Sequence, residues 1–259
     1  MLGALFATVV AANGVLYFAV ASATARTRFY KRLSASQAID LDSRLVGCVN
    51  VALCLANAHA TLWRDPAAAE AWHDPFAAVF IGSPARNQAL VYLAAFLFYD
   101  AVLIACSRRV MGVDWAMLLH HAIILSAVLV SIAFQRCTFH ICCLLVNEAS
   151  TPFLTVRYFL LYGDRTSSRA YAFNGMALVI SFAICRIVAN TLLVYACALA
   201  WHELGWVRGM LTTHPNDVVL CGMLSALALG HWSLNLYWFV RILSSARRAL
   251  RRVFSEHAD

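Results

Sequence analysis

The stretch "VDWAMLLHHAIILSAVLVSIAFQ", residues 113–135, decides how the rest of the chain is read. After Asp114 it runs apolar for about 20 residues, enough at 1.5 Å per residue to cross the hydrocarbon core of a bilayer. Inside that run stand two adjacent imidazoles, His120 and His121. Ionisable groups at membrane depth are costly and by default face a protein interior or a wet cavity. The segment therefore reads as a transmembrane helix with one side turned to a polar site.

Working outward, six further apolar runs of similar kind are found, at 3–24, 43–62, 88–107, 138–161, 172–200 and 217–241. The composition agrees: 62% of the 259 residues are hydrophobic and 13% charged, and the mean hydropathy is +0.71. A soluble domain of this length needs more polar surface than that. The expected fold class is all-α, a polytopic bundle of seven transmembrane helices joined by short loops, without an internal repeat.

The net charge of +7 does not make a nucleic-acid surface, because the basic residues gather in alternate loops. Arg26, Arg28, Lys31 and Arg32 follow the first run, Arg108 and Arg109 the third, Arg165 and Arg169 the fifth, and Arg247, Arg248, Arg251 and Arg252 the seventh. The other loops hold Arg64, Arg86, Arg136 and Arg208. By the positive-inside rule the N-terminus is lumenal or outside and the C-terminus cytosolic. The first run lacks a basic n-region and is followed by its charges, so it reads as an uncleaved reversed anchor despite the cleavage-like "ASATA". Trp63, Trp201 and Trp206 suit an interfacial belt. The nine cysteines show no metal-type spacing and read as small packing residues.

The polar residues at membrane depth are His59, Asp100, His120, His121, His140, Glu148, Arg157, Arg186, Asn190, His231 and Asn235. Asp100 and the histidine pair lie on consecutive helices, all about 9–12 Å inside the cytosolic boundary. A carboxylate there orients an imidazole and raises its basicity, as a nucleophile or general base requires. Neighbouring residues point about 100° apart on a helix, so only one histidine faces Asp100 directly. Helix-to-helix glue is the plainer alternative for such groups. Pro152 in "NEASTP" deprives the carbonyl of Glu148 of its helical donor, so a kink is expected there. Glu148 is expected to pair with Arg186, with Asn190 a turn further on. His231 and Asn235, four residues apart, share one face. His59 and Arg157 lie near span ends, and Arg157 reads as snorkelling.

The ordered elements "NAHATLW", "FLFYD", "DWAMLLHH", "NEASTPFLTVRYF", "FNGMALVISFAICRIV" and "SLNLYWFVRI" resemble the TLC-domain family. That family includes ceramide synthases and the translocating-chain-associated membrane protein, and the pattern is closest to the small TLC-domain-containing proteins. The resemblance implies three segments: an N-terminal anchor and basic loop over 1–39, a TLC domain over 40–245, and a basic cytosolic tail over 246–259. It implies a six-helix core around an interior lipid-accessible cavity, in the endoplasmic reticulum. Ceramide synthases transfer a fatty acyl group from coenzyme A, and their paired histidines correspond to His120 and His121 here. Their aspartate-containing element is replaced by residues 147–152, which departs from sphingoid-base acylation. The expectation is a protein of lipid metabolism or homeostasis that binds phospholipid or sphingolipid. His120, His121 and Asp100 are its candidate catalytic residues, and Glu148, Arg186, Asn190, His231 and Asn235 its candidate binding residues. No bound cofactor or metal is expected, and acyl-CoA is the candidate co-substrate. The alternative is a non-catalytic lipid sensor using the same cavity. A seven-helix receptor is disfavoured, as no D-R-Y or N-P-x-x-Y element occurs.

Overall fold

The computed structural model describes residues 1–203 and 215–255; Trp206 and Arg208 lie outside them. Among the described residues no strand is formed, and seven helices are long and apolar enough to cross a membrane. The spans are Leu2–Thr24, Ala35–Arg64, Pro84–Met111, Trp115–Phe134, Thr138–Tyr162, Arg169–Glu203 and Asn216–Arg248. They match the expected apolar runs, extending the second, third, sixth and seventh by several residues and ending the fourth one residue early, where Gln135 turns left-handed. The chain is an all-α, multi-pass membrane protein.

The local signals that start these helices are conventional. Ser34 and Gln37 form a capping box before the second span, Ser83 and Pro84 open the third, and Asp114 accepts from the Met117 N–H at the head of the fourth. Between the third and fourth spans the chain reverses within three residues. Gly112 takes φ +78° and ψ −173° there, a conformation essentially restricted to glycine. This tight reversal sets Asp100 and the histidines of the fourth span side by side.

The spans pack in a ring. The second lies against the third, the third against the fourth, the fourth against the seventh, the seventh against the sixth, the sixth against the fifth, and the fifth against the second. The first span sits outside this ring, on the second and third. Asn50 ties it in, donating to Asn13 Oδ1 at 2.6 Å while its own Oδ1 accepts from the Tyr92 hydroxyl. On the N-terminal side of the third span, short helices Pro66–Ala71 and Pro75–Phe80 cover the end of the bundle. Beneath them Arg86, a residue read from sequence as a loop cation, is fully buried, with Nε 3.3 Å from Asp65 Oδ2 and Nη1 donating to the Ile81 carbonyl at 2.8 Å.

Two spans are not regular. In the fifth, Leu144–Ser150 tightens into a 3₁₀ segment and a new α-helix starts at Thr151. Pro152 occupies its first turn, where a missing N–H costs nothing. The Glu148 carbonyl, left without its usual donor, accepts from the Thr151 N–H instead. The expected kink is thus resolved as a change of winding. In the sixth span Ala183–Val188 widens into a π-turn that contains Arg186. Such turns recur at functional sites.

Candidate functional site

The ring encloses two adjoining chambers. The first is smaller, with about 250 Å³ of empty volume, open side included, bounded by Leu93, Leu97, Ile124 and Leu144 and by the polar groups of His120, Asn147, Glu148, Arg186 and His231. The second is apolar, with about 650 Å³ of empty volume, open side included, and runs from His231 along the fourth, fifth, sixth and seventh spans. Ile124, Leu144 and His231 belong to both walls.

The two adjacent histidines are divided between different surroundings. His121 Nε2 stands 3.5 Å from Asp100 Oδ2, and Asp100 Oδ1 accepts from Ser43 of the second span at 3.3 Å. At 3.5 Å the imidazole and the carboxylate are in contact, at a distance longer than a formed hydrogen bond. His120 turns instead to the polar chamber. Its ring centroid lies 5.1 Å from His231 and 5.1 Å from Trp238, which meets it edge-on. Both histidines are buried, and the Nδ1 of each has no hydrogen-bond partner. The 100° rotation between neighbours on a helix produces this division. Asp100 therefore orients the histidine outside the chamber, while the histidine inside it has aromatic and imidazole neighbours.

Arg186 is held by the irregular part of the fifth span. Its Nε donates to Ser150 Oγ at 2.9 Å and to the Asn147 carbonyl at 3.1 Å, and its Nη2 donates to Thr151 Oγ1 at 3.2 Å. Glu148 Oε1 is 3.5 Å from Nη2, and its Oε2 accepts from the Thr151 hydroxyl at 2.8 Å. The ion pair is thus bridged by Thr151. A buried cation is tolerable only when its donors are satisfied, and the 3₁₀ segment presents two oxygens to this one while Thr151, at the head of the next helix, adds a third. Asn190 ties the sixth span to the fifth, donating to the Arg186 carbonyl at 2.6 Å and accepting from Asn147 at 3.3 Å.

His231 is fixed from behind. Asn235 donates to its carbonyl at 2.9 Å and lies 3.1 Å from its Nε2. With Nδ2 as the donor, that contact assigns the ring proton to Nδ1. Asn235 is completely buried and stands behind His231 rather than in the chamber wall. His140 borders the apolar chamber. His59 stacks on Trp63 at the end of its span. Arg157 does not snorkel freely, since it donates to Ser245 at 2.6 Å and lies over the Tyr171 ring. Among the described residues no group of three or more His, Cys, Asp or Glu side chains could hold a metal ion.

Sequence reasoning missed Ser43, Trp238 and the residues that line the apolar chamber. Ser43 and Trp238 are ordinary residues on helix faces whose rotation a single sequence does not reveal. The chamber arises from small residues, such as Ala127 and Ala228, whose spacing looks like routine helix packing.

A ring of six spans closed on a buried polar chamber, with one further helix outside, defines a polytopic membrane protein with an interior site. The family model described as the TLC domain matches residues 40–244, and the chain belongs to that family. It is 30% identical to TLC domain-containing protein 4-B of Danio rerio over 179 residues, 66% of this chain and 64% of that relative. It is 29% identical to an uncharacterized TLC domain-containing protein of Schizosaccharomyces pombe over 101 residues, 39% of this chain and 32% of the relative. The match thus spans less than two thirds of the length of either relative. No solved structure matches the chain.

Proposed function

We propose that the protein binds an amphipathic membrane lipid, a phospholipid or sphingolipid, in its interior cavity and serves lipid metabolism or homeostasis at the endoplasmic reticulum. The charge pattern of the loops supports a lumenal N-terminus and a cytosolic tail. One observation carries the reading: a chamber with Arg186, Glu148 and His120 in its wall adjoins an apolar one through Ile124, Leu144 and His231. A headgroup finds donors and acceptors in the first, and a hydrocarbon tail fills the second.

The same cavity supports acyl transfer from acyl-CoA, with His120 as the reacting group. Its imidazole nitrogen adds to the thioester carbonyl and coenzyme A leaves as the thiolate. A lipid hydroxyl or amine then takes the acyl group, and its proton passes to the released imidazole. The non-catalytic alternative is favoured by one specific feature, the placement of Asp100 on His121 rather than on His120.

The test is lipidomics in cells lacking the protein, re-expressing wild type, His120→Ala or His121→Ala at equal levels. Catalysis predicts that wild type restores a defined acyl lipid, that His120→Ala does not, and that His121→Ala restores part of it. Full restoration by His120→Ala removes the acyl-transfer reading and leaves binding. Absence of lipid co-purifying with wild type removes both.

A further inference from the structure

The end of the apolar chamber far from the polar one is bordered by three cysteines, Cys137, Cys197 and Cys221. Cys137 and Cys221 are neighbours across this end of the chamber, and Cys197 lines the same wall. The two cysteines come from segments that no loop joins. Cys137 sits in the turn between the fourth and fifth spans, and Cys221 lies in the seventh. The turn is firmly placed. Cys137 takes φ 56° and ψ 22°, and its N–H donates to the Val79 carbonyl at 2.8 Å. Its neighbour Arg136 donates through Nε to Asp217 Oδ1 at 2.9 Å, and Asp217 is one helical turn before Cys221. An ion pair and two neighbouring thiols thus lie between the same two segments at successive levels.

We propose that Cys137 and Cys221 form a reversible disulfide that latches the extracytosolic end of the apolar chamber. The side of the membrane rests on the orientation proposed above, whereas the pairing of the sulfurs does not. Cys221 is the less buried of the two. The neighbouring Cys221, and then burial, push the Cys137 thiol well above the usual cysteine range, so the less buried Cys221 reacts first. With a small-molecule disulfide such as oxidised glutathione, the Cys221 thiolate attacks one glutathione sulfur and expels the other as a thiolate. Cys137 then attacks the Cys221 sulfur of the mixed disulfide and expels the second glutathione. Two electrons pass to the oxidant, and the two protons end on the two released thiols.

The experiment uses the full-length protein in detergent, treated with oxidised glutathione, alkylated with N-ethylmaleimide and digested without reduction. Mass spectrometry is expected to find a peptide linking Cys137 to Cys221 that dithiothreitol separates, with the same link formed in Cys197→Ser. Recovery of both cysteines as maleimide adducts overturns the latch, as does Cys221 linked to Cys197 in its place. Wild type answers the question directly, so a poorly folded Cys137→Ser is no obstacle. Repeating the oxidation on sealed vesicles with glutathione on one face separates the two claims. Formation from the cytosolic face alone overturns the extracytosolic placement and leaves the pairing intact.

Discussion

At His120 the nearest rings are those of His231 and Trp238, while at His121 the nearest charge is Asp100. One residue of helix thus separates an imidazole facing a cavity from one engaged in a structural contact. At Arg186 the three oxygens of Asn147, Ser150 and Thr151 do most of the holding. Removing the cation from a buried pair leaves the other charge uncompensated, at a cost of about 3–5 kcal/mol. Arg186→Met is expected to lower thermal stability strongly. Glu148→Gln should cost less, because Arg186 keeps its other acceptors. The double substitution should recover part of the Arg186→Met loss, and additive losses in a double-mutant cycle would show that the two side chains do not interact. The pairing of Glu148 with Arg186 was readable from depth, and the shared face of His231 and Asn235 from i, i+4 spacing, though not that Asn235 stands behind the histidine and outside the chamber wall. Which histidine meets Asp100 was not, because depth along a helix is a property of residue number while rotation about its axis depends on packing. The burial of Arg86 escaped for a related reason, since hydropathy marks it as a loop residue and only the covering short helices enclose it.

At the scale of elements, Pro152 was legible as a disturbance, but its form was not. A proline near the middle of an apolar run either kinks one helix or begins another, and the oxygens surrounding Arg186 come with the second outcome. Gly112 carries the reversal that brings Asp100 toward His121. Gly112→Ala must place a Cβ on backbone at φ +78°, a strain of about 1–3 kcal/mol. It should reduce the melting temperature in detergent, with an unchanged melting temperature arguing that the turn relaxes freely. The π-turn at Ala183–Val188 carries one residue more than an α-turn. Deleting Ile184 should return the helix to regular α geometry with the flanking residues facing as before, since the wide turn is what accommodates the extra residue. Arg186 would then shift against Asn147, Ser150 and Thr151, and a lower melting temperature of a still helical protein is the expected result.

At the scale of the whole molecule the seven spans were evident from apolar runs alone, whereas their order around the ring was not, since nothing in a single sequence says which helices touch. The apolar chamber is also a property of the assembled ring. Ala228→Phe should fill part of it, and mass spectrometry of the purified protein should find less bound lipid at near-normal stability. Undiminished lipid would place the tail elsewhere. The order of the ring has one more consequence. Spans two to four and five to seven form two sheaves, and around the ring the sheaves adjoin along two seams, between the second and fifth spans and between the fourth and seventh, with the start of the fifth also packed on the third. Every other neighbouring pair in the ring is consecutive in the chain and tethered at one end. Parting the first seam breaks the stack of Arg44 on Tyr158 and the hydrogen bond from Tyr162 to Asp40. Parting the second pulls His120 away from His231 and Trp238 and strains the Arg136–Asp217 tie. A lipid entering sideways between the fourth and seventh spans therefore passes through a doorway whose jambs carry the interior histidines.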